Sequence, residues 1–354
     1  MSESAVGRLL PIAAYARALM PQLRLQFGPP DENLAQIVRN QFRFNWLLLA
    51  IALAVFDLCL LLTTFRIRPL GYLMVLAVAC LYGILGNYRG RWFLTRPRAF
   101  AMSTALAQII LALAVMTSIS YIATAADLPL QDARLFAADL AVGFDFRAIL
   151  GHVNDRVWLI QILAFGYNAI SWEIWLIVVV LPLVGYTRRT AEYISAWLLG
   201  LGITCCITMI VPAIGVYQAL GTAVADFPNI TPQSYLDTLV EIPLLREGAL
   251  RTLDLGQLLG VVTFPSFHAA TAILYGWALW PVRWARPFNL ALNGVMLAAT
   301  PICGGHYLMD VLAGVAVAIA AVCAAPYGAS LIDRLEQRLS TAPSRYPIEV
   351  TPSS

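Results

Sequence analysis

The feature that most constrains this chain is a series of apolar runs, each long enough to cross a membrane. Hydrophobic residues make up 60% of the 354 positions and charged residues only 12%, against about 25% charged residues in an ordinary soluble domain. A helix needs roughly 20 apolar residues to span the hydrocarbon core of a bilayer. Lipid offers no partner for backbone polar groups, and the runs lack the alternation of a β-barrel. We therefore predict an all-α polytopic membrane protein.

The apolar runs predict about eight membrane spans. They cover residues 46–65, 70–86, 100–126, 157–186, 193–216, 266–282, 288–304 and 307–328. The fourth run is long for one crossing, which suggests a tilted or broken segment near Gly166. The predicted organisation has four parts: a cytoplasmic arm (1–45), N-terminal transmembrane helices (46–126), a catalytic core (127–330) and a cytoplasmic tail (331–354). The architecture expected is a six-helix bundle preceded by two accessory spans.

Arginine placement predicts the orientation in the membrane. All 23 basic residues are arginine, which excludes a lysine nucleophile, a Schiff base and a P-loop lysine. With the N-terminus inside, sixteen arginines fall on inner segments and seven on outer segments. Short basic loops stay in the cytoplasm. Both termini are therefore expected inside, and two long polar segments, 127–156 and 217–263, are expected outside.

The cysteines and the acidic residues do not suggest a metal site, and no cofactor is expected. The six cysteines lie in apolar runs without metal-ligand spacing, and no cluster of carboxylates suggests a bound metal ion. Asp139 and Asp145 lie in the first outer segment and are predicted to be solvated. Asp57 and Glu173 fall inside predicted spans, where an ionisable group is expensive. They pair with a neighbouring helix, lie near a membrane interface, or mark a transport path.

Two of the three histidines stand in a pattern that suggests catalysis. His268 ends the sequence Pro265-Ser266-Phe267-His268, where an outer segment enters the sixth span. His306 opens the eighth span, and Asp310 follows it by one helical turn. The predicted topology brings both histidines to the outer face. His152 lies in an outer segment and is expected to have no catalytic part.

These residue types suit the transfer of a phosphate group. A carboxylate one turn from a histidine can fix its tautomer and raise the basicity of the other ring nitrogen. Such a histidine can attack phosphorus, and a second histidine can serve as general acid and then general base. A helix that begins at Ser266 would offer backbone N–H groups and a hydroxyl to the phosphate. Arginine, whose planar fork matches phosphate, is expected to supply the positive charge.

Both motifs resemble signatures of a known family. Pro265-Ser266-Phe267-His268 and His306-Tyr307-x-x-Asp310 resemble the second and third motifs of the type 2 phosphatidic acid phosphatase (PAP2) superfamily. The resemblance implies a six-helix catalytic bundle and a metal-independent phosphatase or phosphotransferase. It also implies roles for three residues: His306 as the nucleophile, Asp310 as the residue that orients it, and His268 as the general acid.

Three departures from the family pattern bear on the substrate. Phe267 replaces a glycine, Ala299-Thr300 replace a Ser-Arg pair, and the first motif cannot form without lysine. The pattern is more similar to the branch of inositol phosphorylceramide synthase and sphingomyelin synthase, whose third motif is His-Tyr-x-x-Asp. The arginine that would bind phosphate is then open. Arg246 and Arg251, upstream of the second motif, are the candidates, together with Ser266.

Several functions remain open from the sequence. A phosphatase would use water to release phosphate from a lipid phosphate, whereas a transferase, similar to inositol phosphorylceramide synthase, would use an alcohol acceptor. Either enzyme would sit in the cell (inner) membrane with its active site on the outer, periplasmic face. The alternatives are a transporter or flippase that uses Asp57 and Glu173, and a non-catalytic scaffold. A nucleic-acid partner is not expected.

Overall fold

The computed structural model describes residues 32–87, 96–221 and 226–340. Residues 1–31 of the predicted N-terminal arm and residues 341–354 of the predicted tail lie outside the described residues. The helices are α1 (Glu32–Leu62), α2 (Pro69–Asn87), α3 (Pro97–Thr124), α4 (Asp132–Ala141), α5 (Phe146–Asn154), α6 (Val157–Leu183), α7 (Thr187–Ile210), α8 (Val216–Ala219), α9 (Gln233–Arg246), α10 (Phe267–Leu279), α11 (Arg286–Gly304), α12 (Leu308–Ala324) and α13 (Tyr327–Ser340). Two short strands, β1 (Arg66–Ile67) and β2 (Thr252–Leu253), pair in parallel.

The all-α polytopic membrane fold is confirmed. Four described helices, α1, α3, α6 and α7, are long and apolar enough to cross a membrane, and the pair α12–α13, bent by 43°, is a fifth candidate. Helices α2 and α10 are apolar but shorter. Because length and composition identify four or five spans among the described residues, the count of eight stays a prediction.

The predicted spans at the two histidine motifs begin within one residue of a helix start. Helix α10 begins directly after Ser266, and α12 begins at Leu308, close to the predicted starts of the sixth and eighth spans. Helix α6 is continuous, so the suggested break near Gly166 is not present. Gly166 instead permits close packing, because a Cβ there would lie 2.5 Å from Cγ1 of Val295 on α11.

The first helix begins well before the predicted span. Helix α1 starts at Glu32, inside the segment assigned to the cytoplasmic arm. Its early turns carry Asn40, Gln41 and Asn45, which hydropathy does not detect as part of a buried helix. All three are buried because neighbouring helices satisfy their amides: Asn45 Nδ2, for example, donates to Gln108 Oε1 at 3.1 Å. The polar extension therefore belongs to the packed structure.

Residues 327–340 also form part of the packed structure. Helix α13 packs along α1, although the tail was predicted to begin at residue 331. Asn40 bonds to Asp333, and Arg43 pairs with Glu336. The two ends of the described chain thus meet beside one end of the bundle.

The two long polar segments, 127–156 and 217–263, fold over the opposite end. The first contains α4 and α5, and the second contains α9 and β2. Strand β2 pairs with β1, which joins the turn between α1 and α2 to the segment that leads into α10. Helix α10 packs against α6, α7, α11 and α12, so both histidine motifs lie within the helical core.

Candidate active site

A cavity of about 540 Å³ opens where α10 begins and reaches the middle of α6 and α7. His268 and His306 both line it. The same cavity is bordered by α3, by α9 and by the segment just before α10. The two histidines that the sequence places 38 positions apart therefore share one chamber.

The first turn of α10 fixes His268. Ser266 is the N-cap residue, and its Oγ accepts a hydrogen bond from Ala269 N at 3.3 Å. The imidazole of His268 stacks on the ring of Tyr167 from α6, with centroids 4.0 Å apart and planes 8° from parallel. A capped helix start and a stacked aromatic ring together limit the rotation of His268.

The turn between α11 and α12 fixes His306. Gly305 adopts a left-handed backbone with φ 69°, and a Cβ there would lie 2.9 Å from the ring of Tyr235. His306 is only 4% exposed, and its Nδ1 lies 3.2 Å from Oδ2 of Asp310. A carboxylate oxygen can only accept, so Nδ1 is the donor in this contact, and in the neutral ring Nε2 then keeps a free lone pair. This is the form in which imidazole is a nucleophile.

The two motifs touch through their backbones. Ser266 N donates to the main-chain oxygen of Asp310 at 3.0 Å. Gly314, one turn further along α12, makes this approach possible, because a Cβ there would lie 2.2 Å from Ser266 O. Real Cβ atoms do not come this close to an oxygen. The relative placement of His268 and His306 thus depends on a glycine outside both motifs.

Replacing Gly314 by alanine should therefore separate α10 from α12. We expect a lower melting temperature, a loss of roughly 1–3 kcal/mol in the free energy of unfolding, and a matching loss of activity. Gly276→Ala is the control: Gly276 lies within α10, the helix that Gly314 approaches, but nothing stands within 4 Å of its added Cβ. Thermal unfolding of both variants in detergent measures the difference. Equal melting temperatures for the two variants would contradict this account of the contact.

Tyr167 contacts His268 and lies close to the loop that carries His306. Its ring stacks on His268, and a Cβ added at Gly304 would lie 2.7 Å from the Tyr167 hydroxyl and 2.7 Å from His306 Cδ2. Sequence reasoning did not single out Tyr167, because one tyrosine in an apolar helix gives no signal of a role.

The candidate phosphate-binding residues lie away from the chamber. Arg246 donates to the main-chain oxygens of Ala126 and Leu128, at 2.7 and 2.8 Å. Arg251 donates to Leu245 O at 2.5 Å and lies over the ring of Phe65, 4.6 Å from its centroid. Neither is among the described residues that line the cavity. Both arginines instead hold the two long polar segments, 127–156 and 217–263, against the helical bundle.

The hydroxyl of Ser266 likewise serves the fold. It is fully buried and caps α10, and Ser266 is not among the described lining residues. Its contribution to the site is the position it gives to His268.

Hydroxyl and amide groups dominate the polar lining of the cavity. They are Thr117, Ser120, Tyr167, Asn168, Ser171, Ser234, Thr238, Thr263 and Tyr275. Asp237 is an acidic member of the lining, and no arginine stands among the described lining residues. The chain has no lysine at all. A ligand in this chamber therefore meets many hydrogen-bonding groups and little positive charge apart from the histidines.

Two acidic residues have partners that the sequence did not predict. Asp139 was predicted to be solvated, and this was wrong: it is 1% exposed and accepts hydrogen bonds from Leu308 N and Met309 N. Burial raises the pKa of Asp139 above its ordinary value, and the two N–H bonds oppose that rise. Glu173 is also buried and accepts a hydrogen bond from Asn293 Nδ2 at 2.9 Å. Glu173 thus pairs with a neighbouring helix, one of the interpretations offered for it.

The geometry defines a class: a helical membrane protein whose bundle encloses two histidines, one of them oriented by an aspartate. The chain matches the sequence model of the PAP2 superfamily over residues 133–324, more than half of its length. It belongs to that superfamily, and membership supports a phosphatase or phosphotransferase type of function. The match begins within α4, upstream of both histidine motifs. No match was found among the curated proteins or among the solved structures.

Proposed function

We propose that this protein is a metal-independent enzyme that cleaves or transfers a phosphate group of a membrane lipid through a phosphohistidine on His306. The observation that carries the proposal is the shared chamber: His268 lines it together with His306, whose Nδ1 is bonded to Asp310. The transporter and scaffold hypotheses do not explain why the two histidines share this chamber.

The first step would break the bond between phosphorus and the lipid oxygen. The lone pair on His306 Nε2 attacks phosphorus while the bond to the leaving oxygen breaks. His268, protonated beside the anionic phosphate, gives its proton to that oxygen, so that a neutral alcohol departs. Asp310 accepts the Nδ1 proton of His306 in a hydrogen bond and stabilises the positive charge that develops on the ring.

The second step would return the enzyme to its starting state. Neutral His268 takes a proton from water or from an acceptor alcohol, whose oxygen attacks phosphorus. The P–N bond breaks, and its electron pair returns to His306 Nε2. His268 is then protonated again, as it was before the first step. The first turn of α10, which borders the cavity, would offer the partial positive charge of a helix start to the phosphoryl oxygens.

The distribution of arginine supports an active site on the outer face. Arginines cluster at the ends of α3, α7, α11 and α13 that lie away from the cavity. They are Arg96, Arg98, Arg188, Arg189, Arg283, Arg286, Arg334 and Arg338. Short basic segments stay in the cytoplasm. The end that carries the chamber would then face outward, where a lipid of the outer leaflet could enter from the side.

The lining supports a head-group transferase, similar to inositol phosphorylceramide synthase, as the second candidate. A phosphate monoester carries up to two negative charges, and a phosphodiester carries only one. No arginine is among the described lining residues, and Asp237 is present. This charge balance favours a phosphodiester donor over a monoester. Attack on a phosphodiester would leave the phosphate and its head group on His306, ready for transfer to an alcohol.

Trapping the intermediate tests the proposed function. Purified protein in detergent with EDTA is mixed with phosphorus-labelled lipid monoesters and diesters, quenched in base and digested, and the labelled peptide is identified by mass spectrometry. We expect an acid-labile, base-stable adduct on His306, because phosphorus bound to imidazole nitrogen shows this stability. An adduct that carries bare phosphate from a monoester supports the phosphatase. An adduct that keeps the head group of a diester supports the transferase. Turnover without any adduct on His306 would overturn the proposal.

A further inference from the structure

The short helix α4 presents two carboxylates to the loop that carries His306. Asp132 begins the helix, and Asp139 stands seven residues later, so both lie on one face of α4. Helix α4 contacts α8 and α12. Neither aspartate belongs to the histidine motifs.

Asp139 caps α12 from outside that helix. Its Oδ2 accepts from Leu308 N at 2.8 Å, and its Oδ1 accepts from Met309 N at 3.1 Å. The first N–H groups of a helix have no partner within the helix and need one elsewhere. At this helix start, Asp139 supplies both partners while it is itself 1% exposed.

Because Asp139 caps the helix, Asp310 is available to accept the hydrogen bond from His306. Asp310 stands at the third position of α12, where an acidic side chain commonly turns back to bond the backbone at the start of the helix. Its Oδ2 already accepts from Tyr307 N at 3.0 Å and from His306 Nδ1 at 3.2 Å. Without Asp139, the N–H groups of Leu308 and Met309 would be buried without partners beside that carboxylate. They would compete with the imidazole for Asp310.

Asp132 holds the same loop from its other side. Its Oδ1 accepts from the hydroxyl of Tyr307 and from Gly215 N, each at 2.9 Å. Ile214 N donates to Oδ1 as well, at 3.0 Å. Tyr307 is fully buried, and Val216 N donates to Gly305 O at 2.8 Å. The residues on both sides of His306 are thus fixed by groups bound to α4 or next to it.

We propose that Asp132 and Asp139 are positioning residues that hold His306 and Asp310 in the geometry for nucleophilic attack. This inference rests on the proposed function for its kinetic consequence, but the geometry it describes can be measured without turnover. Both aspartates act through other residues: they bond to main-chain amides and to the Tyr307 hydroxyl, and they do not stand among the described residues that line the cavity.

The kinetic test compares Asp139→Asn with Asp145→Asn. Asparagine keeps the shape of aspartate but turns an NH₂ group toward one of the backbone N–H groups. We expect kcat to fall about 10- to 100-fold with KM little changed, because a small misplacement of His306 and Asp310 costs a factor of this size. Asp145 caps α5 in the same outer segment through Ala148 N at 3.0 Å, far from the His306 loop in sequence. Its variant should lose some stability, as any lost cap does, and keep its kcat.

The geometric test uses the small number of histidines. The chain has three, so protein labelled with ¹⁵N-histidine gives three imidazole spin systems. In the wild type we expect His306 to be protonated at Nδ1 and unprotonated at Nε2. Asp139→Asn should shift or broaden both signals of His306 and leave His152 unchanged, and Asp145→Asn should leave His306 unchanged.

The outcomes separate this inference from the proposed function. An inactive wild type in which Asp139→Asn still disturbs the His306 signals would end the proposed function and keep the positioning role. An active wild type in which Asp139→Asn changes neither kcat nor the His306 signals would overturn the positioning role alone. A kcat loss of the same size in Asp145→Asn would also overturn it. If Asp139→Asn does not fold, Tyr307→Phe decides through the Asp132 contact: unchanged kcat and unchanged His306 signals overturn the proposal.

Discussion

Replacing His306 by alanine should abolish turnover of every lipid phosphate that the wild-type protein accepts. We expect a fall of about 10⁴-fold or more, the scale seen when a nucleophile that works as part of a unit is removed. The reason is that no other described group in the chamber has an unprotonated nitrogen oriented by a buried carboxylate. The measurement is the release of phosphate or head group in detergent with EDTA.

Two further variants make the His306 result unambiguous. His152→Ala removes the histidine in the last turn of α5, which is exposed, and should keep full activity. His306→Asn retains an N–H donor toward Asp310 and most of the side-chain volume, so it should fold even if the alanine variant does not. Activity near the wild-type level in folded His306→Asn would rule out His306 as the nucleophile.

Replacing His268 by alanine should give the second largest effect, and its size should depend on the leaving group. With an alkyl lipid phosphate we expect a fall of about 10²- to 10⁴-fold, because the departing alkoxide needs a proton and a general acid contributes a factor of this size. With nitrophenyl phosphate the departing anion is stable without a proton. The first release of nitrophenol should then stay fast, provided that this compound enters the chamber.

The same variant should accumulate the intermediate. His268 also takes the proton from the water or alcohol in the second step, so His268→Ala should slow the breakdown of the phosphohistidine. Rapid-quench measurement should show a burst of nitrophenol matched by phosphate on His306. An equal loss with both classes of substrate and no accumulated adduct would contradict the role of general acid and base.

The sequence predicts the parts of the site that rest on local patterns. A proline and serine before an apolar run predict the start of α10, and the four-residue spacing of His306 and Asp310 predicts their contact, although His306 precedes the N-cap of α12. Alternation of apolar runs with basic turns predicts the all-α membrane fold. In each case the residues that determine the structure are neighbours along the chain, so their spacing alone carries the information.

The rest depends on contacts between distant segments. Asp139 bonds to amides of residues 169 and 170 positions away, and nothing around Asp139 in the sequence marks those partners. Arg246 was proposed as a phosphate ligand because it lies near the second motif, but three-dimensional proximity gives it carbonyl partners near residue 126. The sequence did not predict that α1 begins at Glu32, because the polar side chains in its early turns find their hydrogen-bond partners on other helices.

The contact between α1 and α13 has a consequence for how the protein is assembled during synthesis. Gln41 donates to Ala325 O at 2.8 Å, and its Oε1 accepts from Ala329 N at 3.0 Å. These partners emerge from the ribosome almost three hundred residues after Gln41. Nε2 of Gln41 can already donate to Ser195 Oγ, but until then its Oε1, in a residue that is 1% exposed in the finished protein, must find temporary partners in water or in the insertion machinery. Closure of α13 onto α1 is thus a late step of biogenesis, and a chain interrupted before α13 leaves this surface open to chaperones and proteases.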